Sequence, residues 1–373
     1  MESNFAMALP KAYEIIDKGM SDGLHLGGQL YISKAGITII DTGFGMREPG
    51  ILMQPEDLML WLSNTKPLMA VVFGQLLEST SLSLKDPVAQ WIPEFAVGGK
   101  DSILIEHLLM HTGGIRHADT ISENFSWDET IARICAMLLD PEWIPGETAG
   151  YHVSGSWFIL GEIVRRIIDE DLSRTFIEKL FAPLGMQNSR LSLSAAEWNE
   201  SRKRLAPMFI ASGGNLNLHP VLNAPEYAAS PRPGSSGRGP IRELGLLYEM
   251  LLRSGIGIRG NVIKPETSAM LVTRSRIGKF DQTFRHIIDW GLGFIVNSNQ
   301  YGAETLPYSF GRHASADTFG HGGAQSSSAY CDPKNQLVVA WAFNGMPGEV
   351  RHKKRGRELN SAIYEDLGLA VPS

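Results

Sequence analysis

Cysteine is scarce in this chain. There are two in 373 residues, Cys135 and Cys331, far apart and in no C-x-x-C pair. That excludes a disulfide framework and a dithiol redox motif, and predicts two reduced, buried thiols. No apolar run approaches the roughly 20 residues of a membrane span, so no contact with a membrane is expected. The segment Met1 to Lys11 has neither the basic head nor the long apolar core of a secretory signal, which predicts a cytoplasmic protein. Positive charge is also short: 34 Lys and Arg against 40 Asp and Glu, a net charge of −6, leave no footprint for nucleic acid. The densest basic cluster, Arg351 to Arg357, reads as the solvated face of a terminal helix. No G-x-x-x-x-G-K-[ST] phosphate loop is present and no metal-ligand cluster stands out, so neither cofactor nor metal is expected.

What is present is ordinary for a globular protein, with 43% hydrophobic and 20% charged residues. The length favours two lobes over one core. Residues 7–19 carry the pattern of an amphipathic helix. Gly28 to Ser33 and Ile37 to Asp41 read as strands joined by the turn Lys34-Ala35-Gly36. After Ser63 the character becomes helical, with helices expected over Trp127 to Leu139, Ser156 to Ile168 and Leu172 to Leu180. A Gly/Pro/Ser-rich loop, residues 230–240, closes that stretch and the helix Ile241 to Leu252 follows. Strands return at Gly291 to Val296, Ser326 to Tyr330 and Gln336 to Asn344, before a last helix from Val350 to Leu367. The expectation is an α+β protein with an antiparallel sheet flanked by helices. Residues 1–62 and 236–373 would build a sheet lobe from both termini, residues 63–235 a mainly helical lobe, and the active site would lie in the cleft between them.

Three clusters carry chemistry. In Ser63-Asn64-Thr65-Lys66 a hydroxyl and an amine stand one helical turn apart, at the head of an almost wholly apolar segment. Residues three apart share a helix face, so the Lys66 amine can reach the Ser63 oxygen. Burial of Lys66 at the helix end would lower its pKa towards that of a base, and a serine beside a base is an activated nucleophile. The spacing alone arises by chance about once in such a chain, but of the thirteen lysines only Lys66 has a serine three residues before it. The second cluster is Pro145 to Gly155, where a Pro-Gly turn leads to Tyr151 just ahead of a helix. A phenol near an ammonium can pass a proton to a leaving group. The third, Phe319-Gly320-His321-Gly322-Gly323-Ala324, opens a strand. Glycines there admit a substrate backbone, and His321 can donate to a substrate or to the Tyr151–Lys66 network.

In this order the three clusters resemble the serine β-lactamase and penicillin-binding-protein superfamily, in the branch of class C β-lactamases, family VIII esterases and β-lactamase-type acyltransferases. His107-Leu108-Leu109-Met110-His111-Thr112-Gly113-Gly114-Ile115 is similar to the family's HLLTHTSG stretch, and Pro183-Leu184-Gly185-Met186 to its PLGM signature. The segments Leu82 to Val88 and Trp91 to Phe95 also resemble the stretch that follows the family's nucleophile helix, so the likeness covers nearly the whole chain. The resemblance implies that Ser63 is the acylated nucleophile, Lys66 its activating partner and Tyr151 the tyrosine of the family's Y-x-N motif. It implies further that His321-Gly322-Gly323 replaces the K-T/S-G triad, and that the backbone amides of Ser63 and Ala324 form the oxyanion hole. Two departures matter. Val153 stands where the family has an asparagine that grips an amide, and His321 removes a fixed cation that holds a carboxylate. Both favour esters or thioesters of less-charged acyl groups over β-lactams. The partner expected is therefore a small-molecule acyl substrate, with an esterase, an acyltransferase or cyclising thioesterase, a β-lactamase or D-amino-acid peptidase, and a non-enzymatic binding protein as the successive readings. Val153, Gly322, Gly323 and Trp341 are expected to contact the substrate, and Trp157 to lie at the cleft.

Other motifs match in letters only. His107 and His111, four apart on an expected helix, have no third ligand for a metal. Gly19-Met20-Ser21-Asp22-Gly23 spells the G-x-S-x-G elbow but lacks the strand-turn-helix setting. Gly255 to Gly260 spells G-x-G-x-x-G but follows a helix and opens none.

Overall fold

The computed structural model describes residues 2–116 and 125–370. Its centre is an eight-stranded antiparallel sheet. Near the N-terminus come α1 (Glu2–Ala8), α2 (Pro10–Ser21), β1 (Gly27–Lys34), β2 (Ile37–Glu48) and β3 (Ile51–Leu52). Then follow α3 (Thr65–Ser79), α4 (Gly155–Ile168) and α5 (Ile241–Leu252). After them come β4 (Asp289–Trp290), β5 (Ile295–Val296), β6 (Phe319–Gly323), β7 (Ser327–Asp332), β8 (Leu337–Phe343) and α6 (Glu349–Asp366). The sheet order is β4-β5-β6-β7-β8-β1-β2-β3, so strands from both ends of the chain pair at β8 and β1, Leu30 opposite Trp341. Lys34-Ala35-Gly36 is the expected hairpin turn, with φ of 50° at Ala35 and 77° at Gly36.

Alternation along β8 separates two layers. Val338, Ala340 and Ala342 belong to the core that holds α5 and α3, whereas Leu337, Val339, Trp341 and Phe343 belong to the core shared with α1, α2 and α6. Gly245 lets α5 lie flat on the sheet, because a Cβ there would come within 2.4 Å of the Tyr31 ring. Helix α3 is buried from Thr65 to Gly74, which explains its lack of a polar face.

Several sequence expectations shift. Residues 7–19 are not one helix: the chain breaks at Leu9, and Pro10 starts the second helix where its missing N–H costs nothing. Leu172 to Leu180 is helical only to Phe176 and continues as a π turn over Ile177–Phe181. Pro183 cannot donate to the Lys179 carbonyl, and the Gln75 amide takes that oxygen instead at 2.8 Å. Gly291 to Val296 is a strand only at its end. The Gly291 amide bonds the Phe294 carbonyl and Gly293 sits at φ 84°, so residues 291–294 form a turn. His111 lies outside its helix, which ends at Leu109, and adopts φ 58°. Among the described residues no helix is long and apolar enough to cross a membrane.

Candidate active site

Ser63 is the middle residue of a 3-10 turn, Leu62–Asn64, that runs directly into α3. The preceding Leu62 has φ 51°, a conformation a branched residue adopts only when its surroundings impose it. This turn lifts Ser63 off the helix axis while Lys66 stays in the first helical turn. Lys66 Nζ is 3.0 Å from Ser63 Oγ and donates to the carbonyls of Val153 at 2.8 Å and Gly234 at 2.9 Å. The side chain is fully buried, with the Tyr151 and Trp157 ring centroids 5.1 Å and 5.7 Å from Nζ. With two N–H groups committed to carbonyls, a neutral Lys66 directs its lone pair at the Ser63 hydroxyl. An ammonium directs its third hydrogen at the same oxygen.

Asn64, beside the nucleophile, ties this turn to β6. Oriented to satisfy both ends of its amide, it donates to the His321 carbonyl at 2.8 Å and accepts from the Gly323 amide at 3.2 Å. Gly323 is required by packing: a Cβ there would lie 2.2 Å from Ser327 Oγ and 2.3 Å from the Trp61 carbonyl. A Cβ on Gly322 would meet the Tyr308 ring at 2.2 Å. The glycines therefore admit the protein's own groups, and of the two only Gly322 lines the cleft.

Tyr151 is positioned from behind. Asp281, fully buried, accepts the Tyr151 amide at 3.0 Å and those of Thr283 and Phe284 at 2.9 Å each, all on Oδ1. Its other oxygen takes Arg276, itself buried, at 3.0 Å. The Tyr151 ring then stacks on Phe284, centroids 4.7 Å apart, and lies against His111 at the same separation.

His321 is buried at the cleft wall. Its Nδ1 is 2.8 Å from the Gly322 carbonyl, which fixes that nitrogen as the protonated donor and leaves Nε2 as an acceptor with no hydrogen-bond partner among the described residues. Burial, then the Lys66 charge, pull its pKa down to about 3. This corrects the expectation that His321 donates: a neutral imidazole with Nδ1 engaged offers only a lone pair.

The cleft encloses about 260 Å³. It brings together Ser63, Tyr151, Val153, His321, Gly322 and Ala324, all expected from sequence. Trp341 is not there. It points to the opposite layer, donating through Nε1 to Asn360 at 2.8 Å, because odd-numbered residues of β8 face α6. Trp157 is wholly buried and backs Lys66 rather than lining the cleft. Sequence reasoning missed Thr283, Phe284, Ile295, Tyr308, Glu349 and Lys353, which complete the lining. Glu349 and Lys353 are four apart on one face of α6, a spacing visible in the sequence, and the cluster Arg351 to Arg357 is not the solvated face that its charge suggests. In fact Lys353 lines the cleft and Arg355 is buried. Tyr308, at φ 54°, donates to both Glu349 oxygens at 3.1 Å.

Among the described residues, five buried histidines make the fold acid-sensitive. Burial holds His152 and His321 at a pKa of about 3 and pushes His25, His111 and His352 well below 6.5. As pH falls below about 6.5 the unfolded chain binds protons that the native state refuses, so stability falls, by up to about 1.4 kcal/mol per pH unit for each histidine. Thermal midpoints should drop steadily from about pH 7 to about pH 5. A flat profile would show that these imidazoles protonate in the folded state.

An antiparallel sheet flanked by helices, with a serine and a buried lysine joined at the foot of the central helix, defines the class of β-lactamase-like proteins. Residues 13–363 match the Beta-lactamase family, and the chain belongs to it. It is 25% identical to esterase EstB of Burkholderia gladioli over 368 residues, covering 90% of this chain and 91% of the relative. The fold matches a family VIII carboxylesterase with a TM-score of 0.79 at 24% identity, over 96% of this chain and 97% of the other. It also matches EstCE1, described as a hydrolase with promiscuous acyltransferase activity, with a TM-score of 0.79 at 18% identity, over 97% and 99%.

Proposed function

We propose that the protein is a serine hydrolase that acts on small, weakly charged esters or thioesters through an acyl-Ser63 intermediate. The observation that carries this reading is Lys66 Nζ, 3.0 Å from Ser63 Oγ and held by two carbonyls. Ser63 Oγ attacks the acyl carbon as its proton passes to Lys66. The amides of Ser63, at a helix start, and of Ala324, at the turn after β6, stabilise the oxyanion. Collapse breaks the bond to the alcohol or thiol, which leaves with a proton from Tyr151, restored from Lys66. Water then attacks acyl-Ser63 as its proton passes to Lys66 and Tyr151, with the His321 Nε2 lone pair an acceptor within the same wall. The acyl–Oγ bond breaks, the acid leaves and Ser63 Oγ regains its proton from Lys66. An alcohol or amine in place of that water makes the same steps an acyl transfer, the reading supported by the likeness to EstCE1.

Charge argues against carboxylate-bearing β-lactams and D-amino-acid peptides. His321 is neutral, and among the described residues the charged side chains lining the cleft, Glu349 and Lys353, are opposite in sign and cancel. Turnover of p-nitrophenyl butyrate should exceed that of nitrocefin by about 10³-fold or more in kcat/KM. Comparable rates would overturn the substrate class, and no turnover of any ester or thioester would favour a binding protein of the same fold.

A further inference from the structure

Helix α6 carries charge on two flanks of its buried stripe. Glu349 and Lys353 face the cleft, whereas Arg351, Lys354, Arg355 and Glu358, spaced i, i+3, i+4 and i+7, share the other flank. That second flank lines a groove of about 560 Å³ against α2 and the Gly213–Gly214 turn. Its two carboxylates are engaged already: Asp22 pairs with Lys18 at 3.1 Å, and Glu358 with Arg312 at 2.8 Å and Arg357 at 3.1 Å. Among the described residues Arg351, Lys354 and Arg355 have no ion pair.

Arg355 is the decisive group, because it is 4% exposed and a guanidinium stays charged in proteins. It donates to His25 Nδ1 at 2.9 Å, to the Gln325 carbonyl at 3.0 Å and to His352 Nδ1 at 3.3 Å, and lies over the Phe343 ring. Burial and Arg355 itself hold both histidines neutral, so they accept its N–H groups but bring no negative charge. Among the described residues its Nε has no hydrogen-bond partner. A buried cation without a counter-ion is costly, and a ligand anion is what removes that cost. The groove also has apolar walls in Ile15 and Leu24.

We propose that this groove is a second binding site, for a phosphate monoester of an apolar alcohol. The phosphate sits among Arg351, Lys354 and Arg355, and the apolar body lies along Ile15 and Leu24. Three uncompensated cations match a dianion better than a carboxylate monoanion. Arg355 connects this site to the cleft through the Gln325 carbonyl, one residue beyond Ala324.

Calorimetric titration of the full chain at constant ionic strength tests the proposal with hexyl phosphate, inorganic phosphate and hexanoate. Hexyl phosphate should saturate one site and bind about tenfold or more tighter than either of the others. The double variant Arg351→Ser/Lys354→Ser alters two exposed side chains. It should weaken hexyl phosphate about tenfold or more, while Lys353→Ser, on the cleft side, leaves it unchanged. Unchanged affinity in the double variant, loss in Lys353→Ser, or no saturable binding would overturn the site. Equal affinity for inorganic phosphate or hexanoate would overturn the ligand assigned to it.

Discussion

Replacing Lys66 with methionine should lower kcat/KM for an ester such as p-nitrophenyl butyrate by about 10³-fold or more, with the loss in kcat rather than KM. Lys66 touches Ser63 Oγ and lies behind the nucleophile, so it acts on the transition state and adds little to ground-state binding. Methionine keeps the length and apolar stem of the side chain and removes an amine that sits fully buried. Such a change is close to neutral for folding when the remaining polar groups relax, although the Val153 and Gly234 carbonyls lose a donor. Ser63→Ala should show a loss of similar size with an intact fold. The two losses should not add: Ser63→Ala/Lys66→Met should be about as inactive as either variant alone, because the pair acts as one unit. Additive losses would mean that Lys66 serves some other step.

The largest structural effect is expected at Asp281. One of its oxygens gathers the amides of Tyr151, Thr283 and Phe284, and the other meets Arg276. Arg276 is 1% exposed and also donates to the carbonyls of Met110 and Ile288. Asp281→Ala therefore leaves a buried guanidinium without its counter-charge and three amides without their acceptor. Urea unfolding should show a loss of about 3–5 kcal/mol. Activity should fall further than stability accounts for, since the same amides set the height of Tyr151 in the cleft. The paired change Arg276→Met/Asp281→Leu should recover much of the stability but little of the activity. A double variant as unstable as Asp281→Ala would place the cost in the lost amide acceptor rather than the stranded charge.

The parts of this protein that its sequence discloses are those governed by local rules. The strands near both termini, the Ile241–Leu252 helix and the turn at Ala35-Gly36 follow from side-chain pattern and backbone freedom. Ser63 and Lys66 declare themselves because one helical turn brings them together. What the sequence hides is set by tertiary placement. Whether Trp341 reaches the cleft depends on which face of β8 its odd positions take, and that is fixed only once β1 and β7 pair with it. Asp281 lies in a stretch without periodicity, and its role appears only when Tyr151, distant in sequence, arrives beside it. The His321 tautomer follows from one carbonyl contact that no spacing encodes. Lys353 and Arg355 sit in one basic run, yet the helix sends one to the cleft and the other into the second groove.

The claim that Ser63 is the acylated nucleophile is tested most directly by covalent labelling with a fluorophosphonate, followed by peptide mapping. One phosphonyl group should be found on the Ser63 peptide of the wild-type chain, absent in Ser63→Ala and formed much more slowly in Lys66→Met. Labelling on any other serine, or none on the folded protein, would contradict the account.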